Sequence, residues 1–175
     1  MQTVPGKRES SITAMCWVRD TVASTWRLFS CGLDTLIVEW QLQHCKPLHA
    51  ASSLGGAAWH MAAQPQRPPT QPSDVSDVPD SLVAVATDDG AVRLHAVEPN
   101  RAGMQFRKAV AHADARALHV LWRADGAVLY AAFSNGCISI LNVSTGTVFL
   151  EHNPVCASAS YISTLLLYPT SAHDC

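Results

Sequence analysis

Charge is scarce in this 175-residue sequence. Only 15% of its residues are charged, and twelve basic against fourteen acidic side chains leave a net charge of -2. A chain so close to neutral shows no field made for a nucleic acid or a membrane surface. No Lys or Arg follows Arg123, so the last 52 residues supply no basic RNA-binding tail. C-x-x-C pairs are absent. Cys16, Cys31, Cys45, Cys137, Cys156 and Cys175 are widely spaced, which fits reduced, mostly buried thiols of an intracellular protein better than a disulfide frame. The opening MQTVPGKRES has no apolar h-region, which argues against a secretory signal. No apolar run nears the roughly 18 residues of a membrane span, so no membrane partner is expected.

Catalytic signatures are missing too. There is no G-x-S-x-G, H-E-x-x-H or P-loop. Asp88 and Asp89 are adjacent carboxylates, but they stand at a hairpin tip, where acids serve the turn. His44, Cys45 and His49 come nearest to a metal set, yet no second pair completes four ligands. His112 and His119 flank Arg116 and read as a solvated face. The expectation is a protein that is not an enzyme, with no cofactor, no metal and no small-molecule substrate.

What the sequence does contain is a repeat. Arg27–Trp40 reads RLFSCGLDTLIVEW, Leu82–Val97 reads LVAVATDDGAVRLHAV, and Leu129–Val143 reads LYAAFSNGCISILNV. Asp34, Asp89 and Asn135 share a column, 55 and 46 residues apart, and Trp40, His95 and Leu141 fall six residues later. Asp-Gly and Asn-Gly between apolar runs are strong hairpin signals, because both residues tolerate positive φ. Each hairpin follows another apolar segment (12–18, 57–63 and 115–122) and precedes a weaker candidate strand (46–50, 104–110 and 147–151). Three four-stranded units result, at about 11–50, 56–111 and 114–153, with a spacing near that of propeller blades. Residues 66–80 interrupt the second unit. Proline and aspartate density marks them as an exposed loop, with a docking or phosphorylated segment, beside Ser73 and Ser76, as the less favoured reading. Segment 160–168 reads as the first strand of a fourth unit, and the tail 154–175 is otherwise unassigned.

These units resemble WD-repeat blades. In that family the turn Asp, a Ser or Thr on the second strand and a third-strand Trp share a hydrogen-bonded cluster that ties the blade together. The resemblance assigns those roles to Ser30, Asp34 and Trp40 in the first unit. Thr87 and Asp89 fit in the second, where His95 replaces the Trp, and Asn135 is what the third retains. The fold class expected is all-β, an incomplete WD-repeat β-propeller of about three four-stranded blades plus the start of a fourth. Propellers close with 4–8 blades, so the chain reads as a fragment, a truncated product or a diverged short paralogue.

A narrower resemblance is carried by ITAMCWV, RLFSCGLD with VEWQLQ, LGGAAWHMAAQP and VATDDGAVRLHAV. Together they are similar to the N-terminal propeller of the cirhin family, WD-repeat subunits of the small-subunit processome. The step Gly55-Gly56-x-x-Trp59-x-Met61-Ala62 is its most particular part. The resemblance implies a non-enzymatic scaffold in the nucleolus that supports pre-ribosomal RNA processing. Its implied partners are other processome WD-repeat proteins, with pre-ribosomal RNA inside the complex. The competing reading is a WD-repeat adaptor of another pathway, such as a ubiquitin-ligase substrate receptor. Arg101, Arg107, Lys108, Arg116 and Arg123 are the one basic concentration, and strand alternation spreads them over two faces.

Overall fold

The computed structural model describes residues 11–20, 22–65, 81–99, 101–145 and 148–152. The loop 66–80, segment 160–168 and the tail 154–175 lie outside the described residues. Twelve strands form three antiparallel sheets of four. The first holds β1 (Ile12–Arg19), β2 (Trp26–Gly32), β3 (Leu36–Gln41) and β4 (Lys46–Ser52). The second holds β5 (Ala58–Ala63), β6 (Ser81–Thr87), β7 (Ala91–Val97) and β8 (Gln105–His112). The third holds β9 (Ala117–Trp122), β10 (Val128–Phe133), β11 (Ile138–Asn142) and β12 (Val148–His152). In every sheet the spatial order follows the chain order. This is the all-β blade pattern expected from the repeat.

Turn chemistry sets the hairpins. Gly90 and Gly136 follow Asp89 and Asn135 with φ of 81° and 84°, and Thr35 takes the same region at 67° after Asp34. The left-handed region costs glycine little and a β-branched threonine more. Asp34 eases the first turn by accepting the Leu36 N–H at 3.3 Å, and Asn135 accepts that of Cys137 at 3.0 Å. Both are side chains closing their own turn.

Burial explains the apolar runs. β6 is packed on both faces: Val83 and Val85 join Val18, Phe29, Cys31 and Ile37 of the first sheet. Ala84 and Ala86 join Val120, Trp122, Leu129 and Phe133 of the third. A strand between two sheets needs no polar face, which is why LVAVA shows no alternation. The first strands of the sheets lie against one another, β1 on β5 and β5 on β9. Polar side chains bridge them: Thr13 donates to the Ala58 carbonyl at 2.6 Å, and the Trp122 indole donates to that of Ala62 at 2.9 Å. On its other face the first sheet carries Met15 and Trp17, 61% and 50% exposed.

The first two sheets are also locked at the end away from the β2–β3 and β6–β7 turns. Arg27 donates to Glu39 through Nε at 2.7 Å and Nη2 at 2.9 Å. It reaches the carbonyls of Glu98 and Arg101 at 3.0 and 2.8 Å, while the Gly103 N–H donates to Glu39 at 2.5 Å. Both side chains are largely buried. The guanidinium therefore satisfies the β7–β8 loop carbonyls as well as the carboxylate, the condition under which a buried pair is tolerated.

Candidate functional site

The residues singled out by the repeat take a different setting in each sheet. In the first sheet the Trp40 indole donates to Ser30 Oγ at 2.8 Å. The Trp40 ring is half-buried and Ser30 is buried. Asp34 is engaged in its own turn through the Leu36 N–H.

The second sheet builds a different cluster. Thr87 Oγ lies 2.8 Å from Asp89 Oδ1, and the Ala91 N–H donates to the same oxygen at 3.1 Å. Arg93 supplies the cation: Nη1 donates to Thr87 at 2.6 Å and to Asp89 Oδ1 at 2.9 Å, and Nη2 to Asp89 Oδ2 at 2.5 Å. That fork, more than any other contact, holds the Asp89 carboxyl well below the usual carboxylate range. Arg93 escaped the sequence reading because an arginine on a strand reads as a solvated residue. Its place four residues past Asp89, across a tight turn, was the available signal. Register separates the two sheets further, since Ser30 stands four residues before its turn Asp and Thr87 only two.

His95, six residues past Asp89, is 1% exposed and packs edge-on to Phe106 at 5.9 Å. Neither ring nitrogen has a protein partner. Burial, with the nearby Arg93 adding to it, pushes the imidazole down to about 4, so it is neutral at neutral pH. Where the first sheet has an indole bonded to serine, the second has an uncharged, unbonded ring.

The Gly55-Gly56-x-x-Trp59-x-Met61 step has a physical reason at each position. A Cβ on Gly55 would lie 2.2 Å from Arg93 Nη1 and 2.6 Å from Asp89 Oδ1 and Thr87 Oγ, so only glycine lets the connector cross this cluster. Gly56 has a φ of 79°, which turns the chain into β5. The Trp59 indole donates to Asp88 Oδ1 at 3.1 Å. Met61 is buried among Val83, Val85 and Phe29. Arg116, from the β8–β9 connector, pairs with the same Asp88 oxygen at 2.9 Å, its guanidinium 5.9 Å from the Trp59 ring centre. Asp88 and Asp89 thus face two different arginines and do not act as a pair.

The remaining candidates separate cleanly. His119 is not on a solvated face: its ring stacks on His60 at 3.7 Å between β5 and β9. Burial, then the neighbouring His119, holds His60 down to about 4. Burial pulls the His119 imidazole down as well, and the two stacked rings pack on one another. Among the described residues no group of three or more His, Cys, Asp or Glu is arranged to hold a metal ion. Burial, then Cys31, pushes the Cys16 thiol up to about 12, which leaves it without nucleophilic character. The basic concentration is interleaved with acids. Arg101 and Arg107 both pair with Glu98, Arg123 pairs with Asp125, and Lys108 donates to the Val143 carbonyl at 2.8 Å.

Residues 78–165, just over half of the chain, match the family model of the anaphase-promoting complex subunit 4 WD40 domain. The chain belongs to this WD40 family. Its sheets are WD40 blades, and solved propellers share their arrangement. The β-propeller domain of Cps50 (Swd1) from Myceliophteria thermophila superposes with a TM-score of 0.58 at 14% identity, over 81% of this chain and 42% of that one. An active polycomb repressive complex 2 in the basal state gives a TM-score of 0.59 at 17% identity, over 78% and 26%. At such identities the likeness is one of fold. Sequence similarity is closer to the human U3 small nucleolar RNA-associated protein 4 homolog, 31% identical over 143 residues, a group also called cirhin-like. Saccharomyces cerevisiae U3 small nucleolar RNA-associated protein 4 is 26% identical over 126 residues. The similarity covers 82% of this chain against the human relative and 72% against the yeast one, and spans only 18% and 14% of those relatives' own lengths.

Proposed function

We propose that these WD40 blades belong to a non-enzymatic scaffold of nucleolar ribosome biogenesis, within the small-subunit processome that handles pre-ribosomal RNA. The observation that carries this reading is the similarity to the U3 small nucleolar RNA-associated protein 4 group over most of the chain. The step that carries the narrower resemblance is built into one corner of the turn end through Gly55, Trp59 and Asp88.

Partners on this reading are other processome WD-repeat proteins, with pre-ribosomal RNA in the same assembly. Contacts run mainly through protein. The arginines that would meet phosphates stand among Glu98, Asp88 and Asp125, whose negative charge at the same surface works against a phosphate backbone. The test is depletion of the full-length product in cells. Mature small-subunit RNA should fall while large-subunit RNA holds. An equal loss of both, or no loss, overturns the assignment.

A further inference from the structure

One corner of the turn end holds a cation in a two-part seat. Trp59 presents a ring face, and its indole N–H fixes Asp88 Oδ1. The Arg116 guanidinium lies over that ring, with Nε on the same oxygen. The backbone on either side of the seat is tied down. The Asp88 N–H donates to the Ala57 carbonyl at 2.9 Å, and the Ser134 N–H donates to that of Arg116 at 2.9 Å. The Arg116 N–H donates in turn to Ser134 Oγ at 3.1 Å. By contrast the Arg116 side chain is 59% exposed and that of Asp88 40%. Ion pairs and cation–π contacts at such exposure hold weakly, because water and side-chain entropy compete with them. The seat is built, and its occupant is lightly held.

We propose that the Trp59–Asp88 seat binds an arginine side chain of a partner protein, with Arg116 as the stand-in that fills it meanwhile. The exchange conserves charge: one guanidinium leaves, another enters, and Asp88 stays paired. The adjacent carboxylate does not compete, since Arg93 engages both oxygens of Asp89. A planar guanidinium can stack on the indole while it donates sideways to the carboxylate; an ammonium offers a point charge and no face. With Arg116 displaced, the seat presents the Asp88 carboxylate and a ring face, which takes a cationic protein side chain and repels a phosphate. This inference does not rest on the nucleolar reading, because it concerns the chemistry of the corner and holds in any assembly.

The test follows the Trp59 indole N–H by nuclear magnetic resonance, assigned by its loss in Trp59→Phe, while N-acetyl-arginine methylamide is added. The citrulline analogue, neutral and of the same shape, is the control. In Arg116→Ala the signal should shift saturably, with half-saturation at about one-tenth the concentration the unsubstituted chain requires. Citrulline should leave it in place, and adding Asp88→Asn should remove the response. No saturable shift in Arg116→Ala, equal half-saturation with and without Arg116, or an equal response to citrulline overturns the proposal. If the Asp88 variant fails to fold, the Arg116 comparison and the citrulline control decide alone.

Discussion

Replacing Gly55 with alanine adds one methyl group where none fits. The new Cβ would stand 2.2 Å from Arg93 Nη1 and 2.6 Å from both Thr87 Oγ and Asp89 Oδ1. The strand backbones are fixed by pairing on both sides, so the long Arg93 side chain is what yields, and its fork on Asp89 goes with it. Overpacking of this kind costs roughly 1–3 kcal/mol, and a hydrogen bond to a charged group contributes roughly 1.5–3 kcal/mol. The Asp89 side chain is 39% exposed, so solvent screening removes much of the second figure. A loss of about 2–3 kcal/mol is expected by urea denaturation. The diagnostic is a cycle with Arg93→Ala, which vacates the nearest clash. In that background Gly55→Ala should cost about 1 kcal/mol less than in the unsubstituted chain. A change within about 0.5 kcal/mol for Gly55→Ala alone would falsify the idea that the cluster needs glycine beneath it. Equal costs in both backgrounds would remove Arg93 from the explanation.

Other consequences are as specific. Ser30→Ala deletes the acceptor of the half-buried Trp40 indole and should lower stability by about 1 kcal/mol, read from the urea midpoint. Glu39→Gln removes the nearer of the two carboxylates beside the buried Arg27 guanidinium, leaving Asp20 at 3.9 Å, and should cost about 3 kcal/mol, the low end for breaking a buried pair. His95 is held down to about 4 when folded, against about 6.5 for an unperturbed imidazole. Between those values the unfolded chain binds a proton that the folded chain refuses, so stability is full above about pH 6.5 and falls as pH drops toward 4. His95 contributes about 3 kcal/mol of that fall, and His95→Phe should flatten the slope of urea midpoints against pH.

The hairpins were legible because turn chemistry is local. Asp89-Gly90 and Asn135-Gly136 name their own geometry, and the apolar runs on either side of each turn mark its strands. What stayed hidden depends on which elements meet. Arg93 reads as a surface residue until the hairpin folds it back over Asp89. His119 reads as solvated because the sequence does not place β9 beside β5, where His60 is waiting. Arg27 and Glu39 lie on neighbouring strands, yet their value comes from the β7–β8 loop that they capture, more than sixty residues downstream. The Gly55-Gly56-x-x-Trp59 step was recognisable as a pattern, and its reason became visible only once Thr87, Asp89 and Arg93 stood above it.

The reading of these WD40 blades as a nucleolar scaffold meets its most direct test in affinity capture of the tagged full-length product, paired with its location in the cell. A processome component should concentrate in the nucleolus and bring down other processome WD-repeat proteins with 5′ spacer RNA. Because the chain is near neutral and acids stand among its basic side chains, capture should fall only modestly between about 50 and 200 mM salt, where a protein making many phosphate contacts loses ~10³–10⁵ in affinity. A cytoplasmic product that recovers ubiquitin-ligase subunits and no processome component would contradict it.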